Sequence, residues 1–123
     1  MILATDYLRA QRLRTAMRQE LEGVFARVEA LVTPTTRTAA HPIGQPFTQV
    51  GGQPVTTLDL WVGLTAPFNL TGTPAISVPC GFSADGLPIG LQIAGRAWDE
   101  VTVLRIAAAY ERITRWNERH PSL

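Results

Sequence analysis

The sequence predicts an α/β fold with a long N-terminal helix, a short strand, a β-hairpin and a C-terminal helix. Two observations carry this prediction. Apolar residues recur at steps of three and four near both ends of the chain, as they do in amphipathic helices. Between these regions, two short apolar runs flank Asp85-Gly86, which is a strong turn signal. The 123 residues lie within the usual range for one domain, so we expect a single segment spanning 1–123.

The first helix is predicted over residues 6–29, where apolar side chains line one face. Thr5 is the expected N-cap, because its hydroxyl can accept a hydrogen bond from a free amide of the first turn. Gly23 interrupts the pattern and costs about 1 kcal/mol relative to alanine. Close packing against another backbone would explain it. The apolar positions are Ala10, Leu13, Met17, Leu21, Val24, Val28 and Leu31.

The middle of the chain is predicted to be largely irregular. Residues 30–33 run into Pro34, which cannot continue a helix, so they are predicted to form a short buried strand. Residues 35–55 are rich in Thr, Gly, Gln and Pro and are interpreted as one long loop, of a length that is uncommon unless functional or disordered. Residues 56–66 show a weak helical pattern.

The second half of the chain predicts a hairpin and a helix. Strand 75–82 is expected to pair with strand 87–94 across the Asp85-Gly86 turn. A final helix begins after Trp98, with Asp99 as its cap and a broad apolar stripe along one side.

Composition and charge exclude several classes of partner. Charged residues make up only 17% of the chain, against about 25% in a typical soluble domain, so part of the surface is expected to be buried against something else. The net charge of +1 is too balanced to indicate nucleic-acid or anionic-membrane binding. The chain has no long apolar run and no basic leader, which favours a cytoplasmic location.

Motifs for cofactors and metals are absent from the sequence. It has no GxGxxG or Walker pattern and no CxxC or HxxxH spacing, so we expect no cofactor and no metal. The single cysteine, Cys80, follows an apolar strand and is expected to act as a small buried hydrophobe. His41 and His120 each precede a proline and are expected to be solvated.

Five stretches together resemble the C-terminal portion of the amidase signature family, the serine amide hydrolases that include the A subunit of glutamyl-tRNA amidotransferase. The resemblance covers nearly the whole chain and weakens over 37–55. It implies the C-terminal part of an α/β/α sandwich around a large mixed sheet. The stretches are YLRAQRLR, ALVTPT, NLTGTPAISVPCG, GLPIGLQIAGR and a final helix carrying Glu100 and Glu111.

The same resemblance implies that the catalytic centre lies outside this chain. Members of the family use two serines and a lysine in an upstream glycine- and serine-rich segment, whereas this chain contains no lysine. Arginine cannot replace the lysine, because it does not deprotonate in proteins. Its serines are Ser77, Ser83 and Ser122, and no position takes over a catalytic role. We therefore expect a segment of an amidase that is inactive alone, arising as a truncated product, an expressed piece or one part of a split enzyme. The alternative is a non-catalytic interaction or oligomerisation module derived from the amidase fold.

The resemblance also assigns a wall of the substrate pocket to Leu58, Trp61, Val62 and Thr65. A tryptophan beside a threonine provides an apolar surface with one polar point, which suits the side group of an amide substrate. Trp61 can equally be a core residue. Amidotransferase members commonly carry an aspartate at the position of Val62, so its absence favours a general amidase over a glutamine-using one.

The expected partners follow from the missing portion. They are the N-terminal part of the amidase or a second copy of this chain in a homodimer that covers the exposed apolar surface. A small amide would bind only to the complete enzyme.

Overall fold

The computed structural model describes residues 1–120. Its helices and strands alternate irregularly along the chain, and a single turn of 3₁₀ helix, Trp116–Glu118, follows the last α-helix. In chain order the elements are α1 (Ala4–Phe25), β1 (Ala30–Pro34), β2 (Phe47–Val50), β3 (Gln53–Thr56), α2 (Thr57–Val62), α3 (Ala66–Thr71), β4 (Ala75–Phe82), β5 (Pro88–Gly95) and α4 (Glu100–Thr114).

The main sheet has three antiparallel strands in the order β1-β5-β4. β5 is the central strand, with Ala94 opposite Leu31 on one side and opposite Ala75 on the other. A register shift between Pro79 and Gly81 bends the outer part of β4. The predicted hairpin is confirmed to within a residue at each strand end.

Helices pack on both faces of this sheet, which confirms the predicted α/β/α layering. Successive residues of a strand point to opposite faces, so Ala94 and Ile93 face different helices. On one face, Phe25, Phe68 and Ala94 form a buried cluster that joins the end of α1 and α3 to β5. On the other face, Ile93 and Ala107 belong to a buried cluster that joins β4 and β5 to α4.

α4 forms as the sequence predicts. Asp99 precedes it, and the backbone amide of Thr102 donates to Asp99 Oδ1 at 3.2 Å. This bond satisfies one of the donors that the first turn leaves free. The helix buries Val103 and Ala107 against the sheet. It ends at Arg115, which adopts the left-handed conformation with φ 54°.

α1 departs from its prediction at both ends. Its N-cap is Leu3 and no side chain caps it, so the assignment of Thr5 as the cap is wrong and Thr5 lies inside the helix. The helix ends at Phe25 and not at residue 29, because the amide of Arg27 turns to the carbonyl of Val24 at 2.9 Å and the chain must then enter β1.

The apolar face of α1 is uncovered in its first half. Leu13 is exposed, whereas Met17, Leu21 and Val24 are half-buried and the last residue, Phe25, is buried. A Cβ added at Gly23 would meet nothing within 4 Å, so the close packing expected there is not found in the described chain.

The interpretation of 35–55 as one loop is wrong over its second half. β2 and β3 form a hairpin of their own, separate from the main sheet, with Phe47 opposite Thr56. The turn between them is Gly51-Gly52, and both glycines have positive φ, 58° and 78°. Two successive positive φ values match the twist of a tight hairpin turn, and glycine adopts them without steric cost.

The helix predicted over 56–66 is shorter in the structure, where α2 ends at Val62, and α3, which begins at Ala66, was not predicted. The C-cap of α2 is Gly63, and the amide of Thr65 then bonds the carbonyl of Val62 at 3.2 Å. α3 ends at Gly72, whose φ of 71° provides a left-handed C-cap before the chain enters β4. No helix within residues 1–120 is long and apolar enough to cross a bilayer.

Candidate substrate-pocket wall

The wall residues named from the resemblance lie on α2 and just after it, and α2 is fixed in place from two sides. Thr56 is its N-cap and accepts from the amide of Asp59 at 3.1 Å. Thr57 is buried, and its hydroxyl donates to the carbonyl of Gln45 at 2.6 Å. Leu60 is fully buried at 0% exposure and anchors the inner side of the helix. These contacts orient the opposite side of α2 outward.

Three of the four wall residues occupy that outward side. Leu58 is 62% exposed, Trp61 54% and Val62 40%. Steps of three and four residues bring their side chains onto neighbouring positions of one helix turn. Trp61 is therefore not part of the core that residues 1–120 form. The structure brings these three residues together as a continuous apolar surface.

His41 extends this surface, which the sequence did not predict. Its ring stacks on Trp61 with centroids 5.3 Å apart and an interplanar angle of 27°. His41 is half-buried, so its expected solvated position is wrong. The stacking ties the loop before β2 to α2. A proline neighbour indicated a loop correctly, but it could not show which side chain the loop would contact.

Thr65, the fourth wall residue, is partly engaged already. Its hydroxyl donates to the carbonyl of Trp61 at 3.2 Å and lies 3.5 Å from that of Val62. It thus satisfies carbonyls that the end of α2 leaves without an intrahelical partner. The single hydroxyl proton is used here, so towards a ligand Thr65 offers acceptor lone pairs.

A buried amide connects the wall to the main sheet. Gln92 of β5 is 4% exposed, and its Nε2 donates to Thr33 Oγ1 at 3.0 Å and to the carbonyl of Leu64 at 3.1 Å. Leu64 lies between Val62 and Thr65, in the link between α2 and α3. The amide therefore fixes this link against the sheet with both of its N–H groups.

A pair of hydroxyls lies on the same face of the sheet. Thr35 Oγ1 and Ser77 Oγ are 2.6 Å apart, above Gly90. A Cβ at Gly90 would come within 2.8 Å of each of the two oxygens, so only glycine leaves room for them. The sequence analysis missed this pair. The available signal was alternation, because Gly90 and Gln92, like Thr33 and Thr35, share one strand face.

None of the described serines has the environment of a nucleophile. Ser77 has a threonine hydroxyl as its partner, and Ser83 Oγ accepts from the amide of Leu87 at 3.1 Å. Ser122 lies outside the described residues. Within residues 1–120, no three His, Cys, Asp or Glu side chains are grouped so as to hold a metal ion. Cys80 is a free, half-buried thiol.

The fold of residues 1–120 is an α/β/α layer with an exposed aromatic surface on α2. The chain belongs to the amidase family, since the family model described as Amidase matches residues 2–104. This agrees with the resemblance that the sequence motifs carried.

Curated relatives of the chain are named as the A subunit of glutamyl-tRNA(Gln) amidotransferase. The protein from Chloroflexus aggregans is 46% identical over 117 residues, which are 95% of this chain and 23% of that protein. The one from Geobacillus stearothermophilus is 45% identical over 117 residues, with the same coverage of 95% and 23%.

Solved structures show the same relationship. A protein described as an amidase superposes with a TM-score of 0.86 at 28% identity, over 92% of this chain and 26% of its own. The A subunit of glutamyl-tRNA(Gln) amidotransferase from Thermotoga maritima gives a TM-score of 0.73 at 35% identity, over 89% and 23%. The chain thus spans about a quarter of the length of the proteins it matches, and it corresponds to a fragment of an amidase.

Proposed function

We propose that this chain is the C-terminal part of an amide hydrolase, to which it contributes sheet, scaffold and one wall of the substrate pocket. The reaction of the family is the hydrolysis of a carbon–nitrogen amide bond. The observation that carries the proposal is the outward apolar surface of α2, where Leu58, Trp61 and Val62 stand uncovered beside a fixed polar network. Such a surface suits the apolar part of an amide held against a catalytic centre provided by another portion.

The nucleophile and its base would come from that other portion. The chain contains no lysine, and Ser77 and Ser83 already have hydrogen-bond partners that are not bases. A serine needs an adjacent base to attack a carbonyl at neutral pH. On this proposal, the chain by itself hydrolyses no amide.

The exposed face of α1 would receive the remaining amidase portion. Leu13 of the apolar side is 59% exposed, and Tyr7 near the start of the helix is 59% exposed as well. Large uncovered apolar surfaces of this kind are typical of contacts with another polypeptide. The relatives are named as subunits, which supports a protein partner. In the absence of that portion, we propose that two copies of the chain pair through this face.

The chemistry of the wall favours an uncharged substrate side group. Val62 is 40% exposed on the wall and carries no charge, so at this position it offers no partner to an ammonium group. A buried ammonium without a partner would cost a few kcal/mol. The names of the curated relatives point towards an amidotransferase, so the experiment below compares two substrates.

The chain has one cysteine and therefore no internal disulfide. This is compatible with a reducing cytoplasm, where we place the protein.

Fragment complementation tests the proposal. The purified chain is mixed with the remaining portion of a related amidase, expressed without the region that this chain matches. We expect hydrolysis of benzamide only in the mixture, and Trp61→Ala should raise KM several-fold. Arg112→Ala on α4 is the matched control. Glutamine is assayed in parallel and is expected to react more slowly. Turnover by the chain alone that a serine-directed inhibitor removes would contradict the proposal.

Light scattering tests the second candidate, a non-catalytic interaction module. The exposed α1 face favours association in either case, so we expect a dimer at micromolar concentration and a shift to monomer in Leu13→Glu. An interaction module remains dimeric when the amidase portion is added. A dimer of enzyme segments instead dissociates, and each chain binds the amidase portion. A monomer that binds no apolar dye would contradict both candidates.

A further inference from the structure

A groove lies where the end of the β4–β5 hairpin meets the 3₁₀ turn that follows α4. Its volume is about 730 Å³, within the range of small-molecule sites. It is separate from the pocket wall, because none of its lining residues belongs to α2. Four of them, Trp116, Asn117, Arg119 and His120, lie beyond residues 2–104, which the family model matches.

Aromatic and aliphatic side chains form the sides of this groove. Phe82 and Trp116 face each other with centroids 6.0 Å apart and planes inclined at 60°. Leu87 and two prolines, Pro79 and Pro88, complete the apolar lining. Trp116 is 37% exposed, so part of its indole is available to a ligand.

Arg119 is the one side chain with a fixed charge among the described residues that line the groove, and none of these is acidic. Two acidic residues neighbour lining residues in sequence. Glu118 forms an ion pair with Arg115, 3.9 Å from Nε to Oε1, and Asp85 precedes Gly86 in the hairpin turn. Within residues 1–120, Arg119 has neither an ion pair nor a side-chain hydrogen bond. The groove is therefore complementary to an anion.

Arg119 lines the groove and lies over the ring of Phe82. Its guanidinium carbon lies 4.0 Å from the centroid of the Phe82 ring, as in a cation–π contact. A guanidinium over a ring keeps its N–H donors at the edge of its plane, where they match the two oxygens of a carboxylate. The ring of Phe82 thus supports Arg119 without using its hydrogen-bonding capacity.

We propose that this groove binds a small aromatic carboxylate. The carboxylate accepts from the guanidinium of Arg119, and the aromatic ring of the ligand packs against Trp116 and Leu87. Both parts of the ligand are needed. The apolar lining packs against the ring but does not select for charge, and an exposed arginine binds a carboxylate without selecting the group attached to it.

Calorimetric titration of the full chain with 3-phenylpropionate tests the proposal. We expect saturable binding with one site per chain, and 3-phenylpropionamide, the uncharged analogue, should bind about tenfold more weakly. Arg119→Gln should weaken binding of the acid about tenfold and leave that of the amide unchanged. Arg105→Gln, which removes an exposed arginine of α4 outside the groove, is the matched control and should bind like the native chain.

Trp116→Ala tests the aromatic half of the site separately. It should weaken the acid and the amide alike, each by roughly fivefold. The circular dichroism of every variant checks that the fold is retained. Absence of binding by the native chain at a ligand concentration of about 10 millimolar would overturn the proposal. Equal binding of acid and amide, or equal losses in Arg119→Gln and Arg105→Gln, would also overturn it.

Discussion

The two long helices of this protein share a spacing of apolar positions but differ in amphipathicity and in surroundings, because α4 is the more amphipathic and the more apolar of the two. α4 buries Val103 and Ala107 against the sheet, whereas α1 buries only Phe25 at its last residue. Both show apolar positions at steps of three and four. The spacing in α1 therefore indicates an apolar face, but it does not show whether a packing partner belongs to the same chain. The chain spans about a quarter of the length of its relatives, and on the function proposed above the partner of α1 is the remaining amidase portion.

The largest expected effect is a loss of stability on the sheet face that α4 covers, compared with the exposed face of α1. Ile93 is 1% exposed beneath α4, so Ile93→Ala should lower the free energy of unfolding by about 2–5 kcal/mol. Leu13 is 59% exposed on α1, and Leu13→Ala should change it by less than about 0.5 kcal/mol. Urea denaturation at two chain concentrations measures both values and separates folding from association. Equal losses at low concentration would show that the α1 face is covered within the chain.

Gly90→Ala is expected to give the next largest loss. The added methyl would lie 2.8 Å from both Ser77 Oγ and Thr35 Oγ1, and relieving this overlap should cost about 1–3 kcal/mol. The same denaturation measurement applies. Ser77→Gly in the Gly90→Ala background removes one of the two oxygens and should recover part of the loss. If the double variant were no more stable than the single one, the overlap would not be the cause.

The caps of the two helices allow a finer comparison. Asp99→Ala removes the acceptor for the amide of Thr102 and should cost about 1 kcal/mol. Thr5→Ala lies within α1, where no side chain forms a cap and alanine is the better helix former, so it should leave stability unchanged or raise it by about a few tenths of a kcal/mol. Thermal unfolding of the pair of variants provides the test. A loss of similar size in Thr5→Ala would place the start of α1 at Thr5 after all.

Gly23→Ala is expected to raise stability, whereas Ile93→Ala, Gly90→Ala and Asp99→Ala lower it. Gly23 lies inside α1 with open space around the position of a Cβ, so Gly23→Ala should raise the stability of the isolated chain by about 0.5–1 kcal/mol. Denaturation midpoints measure this gain. In the complemented amidase the same change should be neutral or unfavourable if the other portion packs closely here. Destabilisation in the isolated chain would contradict the open position.

The sequence predicted those elements in which local signals agree with the packing. The β4–β5 hairpin was placed to within a residue, because Asp85-Gly86 defines the turn and the flanking runs are apolar. α4 was recognised from Asp99 and its stripe. The β2–β3 hairpin was missed, although Gly51-Gly52 is a two-residue turn signal, because its strands are short and polar. α2 was predicted too long and α3 was missed, because each has six residues, too few for a clear period.

The residues of the candidate wall were named from the resemblance, whereas their contacts could not be predicted. The resemblance named the four wall residues, and three of them share the exposed side of α2. The sequence could not show that Trp61 stacks on His41, since the two are joined by a loop and a second hairpin. Nor could it show that Gln92 reaches the carbonyl of Leu64, 28 positions away. Such contacts depend on tertiary geometry, which residue types and spacing do not specify.

Trp98 has a practical consequence for following assembly. Its backbone is in the left-handed region at φ 67°, and its side chain is 92% exposed. An indole held in water emits at long wavelength, and its emission moves to the blue when another surface excludes the solvent. A chain in which Trp61 and Trp116 are replaced by phenylalanine would therefore report optically, without any attached dye, on the arrival of a polypeptide at this end of the molecule.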